Sequence, residues 1–205
     1  MSLDFLITSM VVILIPGTGV ICTLATGLGA GRGASVAAAF GWTLGILPHI
    51  AAAMFGLAAV LHASAVLFTT VKYLGTAYLL YLAWLTLREA GPVTIERRGR
   101  PGAGKSRIVS TGFLINILNP KLSVFFLAFL PQFVDAGSPS WIADMLTLAA
   151  AFMALTFAVF VVYGFFAALI GEVAMQSEVF MRWFRRVAAT AFASFGVRLA
   201  LSDAQ

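Results

Sequence analysis

Long apolar runs separated by short polar segments fill most of this chain of 205 residues. The chain is 61% hydrophobic and 10% charged, whereas an ordinary soluble domain is about 45–50% apolar and about 25% charged. A soluble fold of this length has too little interior to bury so much apolar surface, so the sequence predicts an integral membrane protein. A transmembrane helix needs about 20 mostly apolar residues, and about six such spans use nearly the whole chain.

We therefore predict one all-α membrane domain over residues 1–205 with about six transmembrane helices. The predicted spans lie at about residues 3–25, 34–61, 66–87, 108–130, 144–170 and 187–201. The sixth apolar run is short, and the sequence leaves open whether it crosses the membrane fully. A basic segment at about residues 89–107 joins two halves, at about residues 1–88 and 108–205.

Lysine and arginine mark the cytoplasmic loops of a membrane protein. The segments after the third span and before the sixth are rich in these residues, whereas residues 131–140 contain none. The first two segments are predicted to be cytoplasmic, which places the N-terminus outside. These loops account for the net charge of +5, so no nucleic-acid partner is expected. The basic segment is expected to touch anionic membrane lipids.

Proline interrupts the first and fourth predicted spans, each about a dozen residues into the span. The interruptions contain Pro16, Gly17, Thr18 and Gly19 in the first span and Asn119, Pro120 and Lys121 in the fourth. With three spans in each half, the halves enter the membrane in opposite directions, which makes an inverted 3+3 repeat. Broken helices at matching positions of such a repeat point to a substrate-binding site near the midplane.

The second break has the sequence of a helix that starts inside the membrane. Asn119 is a favoured N-cap, and Pro120 suits the first helical position because no helical bond needs its missing N–H. The helix start and the charge of Lys121 favour an anion, and a substrate carboxylate is the natural candidate. The glycines of the first break let the backbone approach the same ligand. The alternative is that the prolines only kink their helices and Lys121 pairs with a backbone carbonyl.

His49 lies inside the second predicted span and is a candidate for proton coupling, because histidine titrates near neutral pH. The alternative is a hydrogen-bonded packing histidine. No Asp or Glu falls deep within a predicted span, which favours a neutral zwitterion or a small neutral amine derivative over a cationic substrate. The same absence leaves proton coupling without an acidic residue to carry it.

Catalytic and metal-binding patterns are missing from the sequence. One cysteine, Cys22, cannot form an internal disulfide or a CxxC redox pair. We find no metal-ligand cluster, no phosphate-binding loop and no nucleophile triad. We therefore expect neither a cofactor nor a bound metal, and not an enzyme.

The stretch at residues 112–134, which includes the second break, closely resembles the LysE/RhtB family of amino-acid exporters. Pro16-Gly17 stands at that family's proline-glycine motif, and Gly41, Gly45 and His49 match its second helix. The resemblance covers the whole chain. It implies a LysE-type translocator of the bacterial inner membrane, a secondary transporter that exports amino acids with energy from the proton motive force. Oligomeric state stays open, with a homodimer among the alternatives.

The chain departs from the family pattern at two places. Thr18-Gly19 stands where many members have a further proline and a polar residue, and Ile46 stands where some have an acidic residue. The second departure agrees with the lack of a counter-charge for a cationic substrate. Three other hypotheses are a passive channel or metal-ion permease, a membrane-embedded enzyme, and a non-transporting membrane subunit.

Overall fold

The computed structural model of the chain describes residues 2–14, 17–63, 104–135 and 137–167, with scattered positions between 70 and 88 and between 177 and 197. All regular structure in these residues is helical. The all-α class is therefore confirmed for the described part of the chain. Much of the third and sixth predicted spans, Pro16, and most of the basic segment lie outside the described residues.

The helices of the first half are α1 (Leu3–Leu14), α2 (Thr18–Ala30), α3 (Arg32–Leu44) and α4 (Leu47–Ala63). Those of the second half are α5 (Lys105–Ile117), α6 (Pro120–Val124) and α7 (Trp141–Phe166). After α6 the helical path continues as a π-helical turn (Phe125–Phe129) and a 3-10 turn (Leu130–Phe133). The sequence predicts that the fourth and fifth spans begin near residues 108 and 144. Helices α5 and α7 begin earlier, at Lys105 and Trp141, because their first turns accept polar residues.

Both predicted breaks are confirmed as bends in the backbone. The pair α1 and α2 bends by 55°, and α5 bends by the same 55° from the segment Pro120–Phe133. Two stretches, Arg32–Gly56 (which includes the turn between α3 and α4) and Trp141–Phe166, are long and apolar enough to cross a membrane. If each bent pair is one span, the described residues contain up to 4 candidate spans.

Helix α3 lies at the centre of the described helices, where it packs against α5, α7 and α2. A Cβ atom on Gly41 would overlap the backbone of Val109, and one on Gly45 would lie 2.6 Å from Cβ of Asn116. Both glycines therefore allow a backbone approach that any side chain would block, as in other closely packed membrane helices. Gly33 lies near Lys105 at the start of α5. Contacts further along α3 are therefore made further along α5, which means that the two helices run in the same direction.

Candidate functional site

A small cavity lies where the two breaks meet. Gly17 and Gly19 line it from the first break, and Asn119 and Lys121 line it from the second. The space open to the centre of a water molecule is about 30 Å³, which is room for about two waters. As described, the cavity is therefore too small for a molecule as large as an amino acid.

The cavity walls are mainly apolar and aromatic. Trp42 of α3 and Phe152 and Phe160 of α7 are their largest side chains, and Thr156 adds a hydroxyl that donates to the carbonyl of Phe152 at 2.8 Å. A Cβ atom on Gly19 would lie 2.8 Å from Cε2 of Phe160. The first break therefore packs directly on the aromatic wall, which only a residue without a side chain permits.

The second break is a capped helix start. The Oδ1 atom of Asn119 accepts from the backbone N–H of Lys121 at 3.1 Å, and Pro120 is the first residue of α6. This confirms the predicted helix start. Asn119 has an extended backbone, with φ −81° and ψ 103°, as expected for an N-cap. Its Nδ2 atom donates to Oδ1 of Asn116 at 3.0 Å, which fixes the cap in place.

The end of α1 exposes a carbonyl oxygen that its own helix cannot satisfy. An α-helix pairs the oxygen of Val12 with the N–H of residue 16, but that residue is a proline and has no N–H. Nζ of Lys121 donates to this oxygen at 2.9 Å, and a Cβ atom on Gly17 would lie 3.4 Å from the same Nζ. Lys121 therefore pairs with a backbone carbonyl, as in the alternative in which the prolines only kink their helices.

The end of α5 also lacks one helical hydrogen bond. The oxygen of Asn116 has no helical partner four residues on, because Pro120 lacks an N–H, and it accepts from the backbone N–H of Asn119 at 3.0 Å. Nε2 of His49 lies 2.9 Å from this oxygen. A carbonyl only accepts, so Nε2 must carry the hydrogen and donate it. Each proline break is therefore capped by a basic side chain from the other half of the chain.

Asn116 joins the second break to the central helix. The turn at Gly45–Ile46 pairs the N–H of Ile46 with the oxygen of Thr43 at 3.1 Å, which leaves the oxygen of Trp42 open to another donor. Nδ2 of Asn116 supplies that donor at 2.6 Å. Asn116 is 3% exposed, so this hydrogen bond is made away from water.

Asn116→Asp is expected to lower the free energy of unfolding by about 1–3 kcal/mol, because a carboxylate oxygen would replace the donor that faces the oxygen of Trp42. The melting temperature of the purified protein in detergent measures the effect. Ser106→Asp is the control, because it adds a carboxylate at an exposed position in the first turn of α5. Equal melting temperatures for the two variants would contradict the assigned bond.

The residues singled out in the sequence occupy three different places. Gly17, Gly19, Asn119 and Lys121 surround the cavity. Thr18 and Pro120 are exposed and are not among its lining residues. His49 is 5% exposed and lies one layer behind the cavity. Pro16 itself lies outside the described residues.

Asn116 and Ser123 belong to this site and were missed from the sequence. Both lie near Asn119 at helical spacings, three residues before it and four residues after it. A polar residue three or four positions from an N-cap in an apolar helix was the available signal. Among the described residues, no group of three or more His, Cys, Asp or Glu side chains is placed to hold a metal ion.

A profile of the family described as LysE type translocator matches residues 10–203. The chain belongs to the LysE-type translocator family. Proteins similar to it include a membrane protein of Vibrio cholerae, 33% identical over 139 residues, with 68% of this chain and 67% of that protein covered. No solved structure matches the chain.

Two further relatives of this LysE-type chain carry functional names. The homoserine/homoserine lactone efflux protein of Salmonella typhimurium is 31% identical over 135 residues, covering 66% of this chain and 65% of the relative. The leucine efflux protein of Enterobacter sp. is 29% identical over 164 residues and 76% of each chain. The LysE-type chain is therefore a membrane transporter and not an enzyme.

Proposed function

We propose that this chain exports neutral amino acids or closely related small metabolites across the bacterial inner membrane in exchange for protons. Two relatives are named for the efflux of leucine and of homoserine or its lactone. Leucine and homoserine are zwitterions with uncharged side chains. This shared chemistry supports an amino-acid cargo whose side chain carries no charge.

The contact between Lys121 and the end of α1 is the observation that carries this proposal. The C-terminal end of a helix is partly negative and the N-terminal end is partly positive. The end of α1 and the start of the segment Pro120–Phe133 meet at the cavity, joined by the bond of 2.9 Å from Nζ of Lys121 to the oxygen of Val12. A zwitterion carries one charge of each sign, and each charge is attracted to one of these two helix ends.

In the conformation described, the ammonium of Lys121 occupies the place that suits a substrate ammonium. We infer that an entering amino acid binds its ammonium to the oxygen of Val12 and its carboxylate to Lys121 and the start of α6. Lys121 then exchanges a backbone partner for a charged one, and charge-assisted bonds are the stronger kind. The cavity has to widen for this exchange, because it holds only about two waters.

The cavity walls support an uncharged substrate side chain. Lys121 is the charged residue among those that line the described cavity, and aromatic side chains form much of the remaining surface. A lysine or arginine substrate would bring a second cation beside Lys121 with no carboxylate to balance it.

We propose His49 as the proton site, because it is a buried titratable side chain that caps the second break.

Purified protein in lipid vesicles is expected to carry leucine and homoserine at least about tenfold faster than lysine or glutamate. A tenfold ratio corresponds to about 1.4 kcal/mol, which an unbalanced second charge in an apolar cavity exceeds. Radiolabelled uptake into vesicles with an imposed pH gradient measures the rates. Collapse of the gradient should abolish accumulation against a concentration gradient.

Two results would contradict the proposal. Equal rates for charged and neutral amino acids would remove the assignment of the substrate class. Accumulation that persists without a pH gradient would remove the proton coupling. A passive channel would show no saturation and a flux far above the turnover of a carrier, so the concentration dependence in the same vesicles distinguishes it.

A further inference from the structure

His49 has a second ring nitrogen whose contact is not explained by the capping of Asn116. Nδ1 of His49 lies 3.2 Å from Oγ of Ser123, a residue of α6. The same Oγ lies 3.4 Å from the backbone oxygen of Asn119. The hydroxyl of Ser123 therefore has two acceptors within reach, one on the buried histidine and one on the residue that caps α6.

The protonation state of Nδ1 decides which way this hydroxyl points, because Nε2 carries a hydrogen in both charge states of the ring. When His49 is neutral, its one hydrogen is on Nε2 and Nδ1 is an acceptor, so the hydroxyl of Ser123 donates to Nδ1. When His49 is charged, Nδ1 also carries a hydrogen and donates to Oγ, and the hydroxyl must turn to the oxygen of Asn119. Every polar atom keeps a partner in both states, as a buried site requires.

We propose that the hydroxyl of Ser123 switches between two orientations. In doing so it passes a proton to Nδ1 of His49 and makes the hydrogen bonding at the start of α6 depend on the charge of His49. Ser123 is half-buried whereas His49 is 5% exposed, so the proton reaches the ring through the hydroxyl. A proton from water binds Oγ while the original hydroxyl proton moves to Nδ1. One proton has then left the water, the ring has gained one, and the hydroxyl is restored with a new orientation.

The new orientation acts on the first turn of α6. The oxygen of Asn119 already accepts from the backbone N–H groups of Leu122 at 3.1 Å and Ser123 at 3.2 Å. A serine hydroxyl that donates four residues back competes with such helical bonds and bends the helix. Protonation of His49 thereby loosens the turn to which the proposed carboxylate binds. Proton and substrate then oppose each other, as an exchange of one for the other requires.

The other titratable groups of the described helices either bond to groups other than His49 or lie at the surface. Nζ of Lys121 donates to Val12, the hydroxyl of Tyr163 donates to Leu14, and Asp144 accepts from Ser140. Lys105 and Arg107 are exposed in the first turn of α5, at the end of that helix remote from Asn116. In the described part of the chain, the recorded polar partners of His49 are Asn116 and Ser123.

The first experiment reads His49 directly, by nitrogen NMR of histidine-labelled protein in lipid nanodiscs as the pH is varied. The chain has two histidines, so in His62→Gln the ring nitrogen signals come from His49 alone. We expect the neutral ring to carry its hydrogen on Nε2. We also expect Ser123→Ala to change the nitrogen signal of Nδ1, because Nδ1 loses the hydrogen bond to Oγ of Ser123. Ser123→Thr should restore that signal, and the exposed control Ser110→Ala should not change it.

The second experiment measures the KM for leucine against pH in vesicles. The KM of the wild type should rise about fivefold or more when His49 becomes protonated, and that of Ser123→Ala should change less. A neutral ring that carries its hydrogen on Nδ1, or an Nδ1 signal that Ser123→Ala leaves unchanged, would overturn the switch. A changed Nδ1 signal with an unchanged pH dependence of KM would overturn its link to transport.

This inference rests on the proposed function only for its link to transport. If the wild type carries no neutral amino acid while the NMR results are as expected, the proposed function fails and the hydroxyl switch stands. If transport of neutral amino acids is coupled to protons while the NMR results are not as expected, the switch fails and the proposed function stands.

Discussion

Lys121→Met is expected to raise the KM for leucine by about 10–100-fold. The variant keeps an apolar side chain of similar length but loses the ammonium, and a hydrogen bond to a charged group contributes about 1.5–3 kcal/mol. Uptake of radiolabelled leucine into lipid vesicles measures the change. Lys121→Arg keeps the positive charge and is expected to retain part of the affinity.

Leucine methyl ester separates a role in binding from a role in structure. The wild type should prefer leucine to the ester, because the ester has no carboxylate for Lys121, and Lys121→Met should lose that preference. Lys105→Met removes an exposed cation from the first turn of α5 and serves as the control with unchanged KM. If Lys121→Met keeps the wild-type preference for leucine, the carboxylate is not bound by Lys121.

Gly41→Ala is expected to lower the free energy of unfolding by about 1–3 kcal/mol or more. The added Cβ atom would overlap the backbone oxygen of Val109, with the Cα atom of Val109 at 2.8 Å. Backbone atoms cannot turn away as a side chain can, so α3 and α5 must move apart. That movement also stretches the bond of 2.6 Å from Asn116 to Trp42. Thermal unfolding in detergent measures the loss.

Gly33→Ala is the matched control on the same helix. A Cβ atom there would meet only the end of the Lys105 side chain, at 3.9 Å, and alanine favours a helix over glycine by about 1 kcal/mol. Its melting temperature should equal or exceed that of the wild type. A similar fall for both variants would show that the close approach of α3 to α5 does not limit stability.

Local chemistry explains which parts of the site could be predicted from the sequence. The bends follow from the absence of an N–H in proline, and the helix start at Asn119 follows from the preference of asparagine for the N-cap. These effects act within one turn of helix, so the residues themselves are sufficient evidence. The membrane class follows from composition, which needs no contact between distant residues.

Contacts between the two halves could not be predicted in the same way. Lys121 reaches Val12 across 109 positions of sequence, and its partner depends on how the two bent pairs pack. The capping of Asn116 by His49 is similar, although the rule behind it is simple: a proline leaves the carbonyl four residues earlier without its helical partner. The spacing of Ser123 from Asn119 is visible in the sequence, but its contact with His49 exists only in the packed structure.

The end of α1 has a consequence for how the protein is made. The oxygens of Val12 and Leu14 accept from side chains that follow them by 109 and 149 positions. A ribosome therefore delivers α1 to the membrane long before either donor has been synthesised. An unpaired backbone group in lipid costs several kcal/mol, so the first half remains incomplete until the second half has inserted. Biogenesis of this protein is thus a joint event, in which neither half reaches its final form alone.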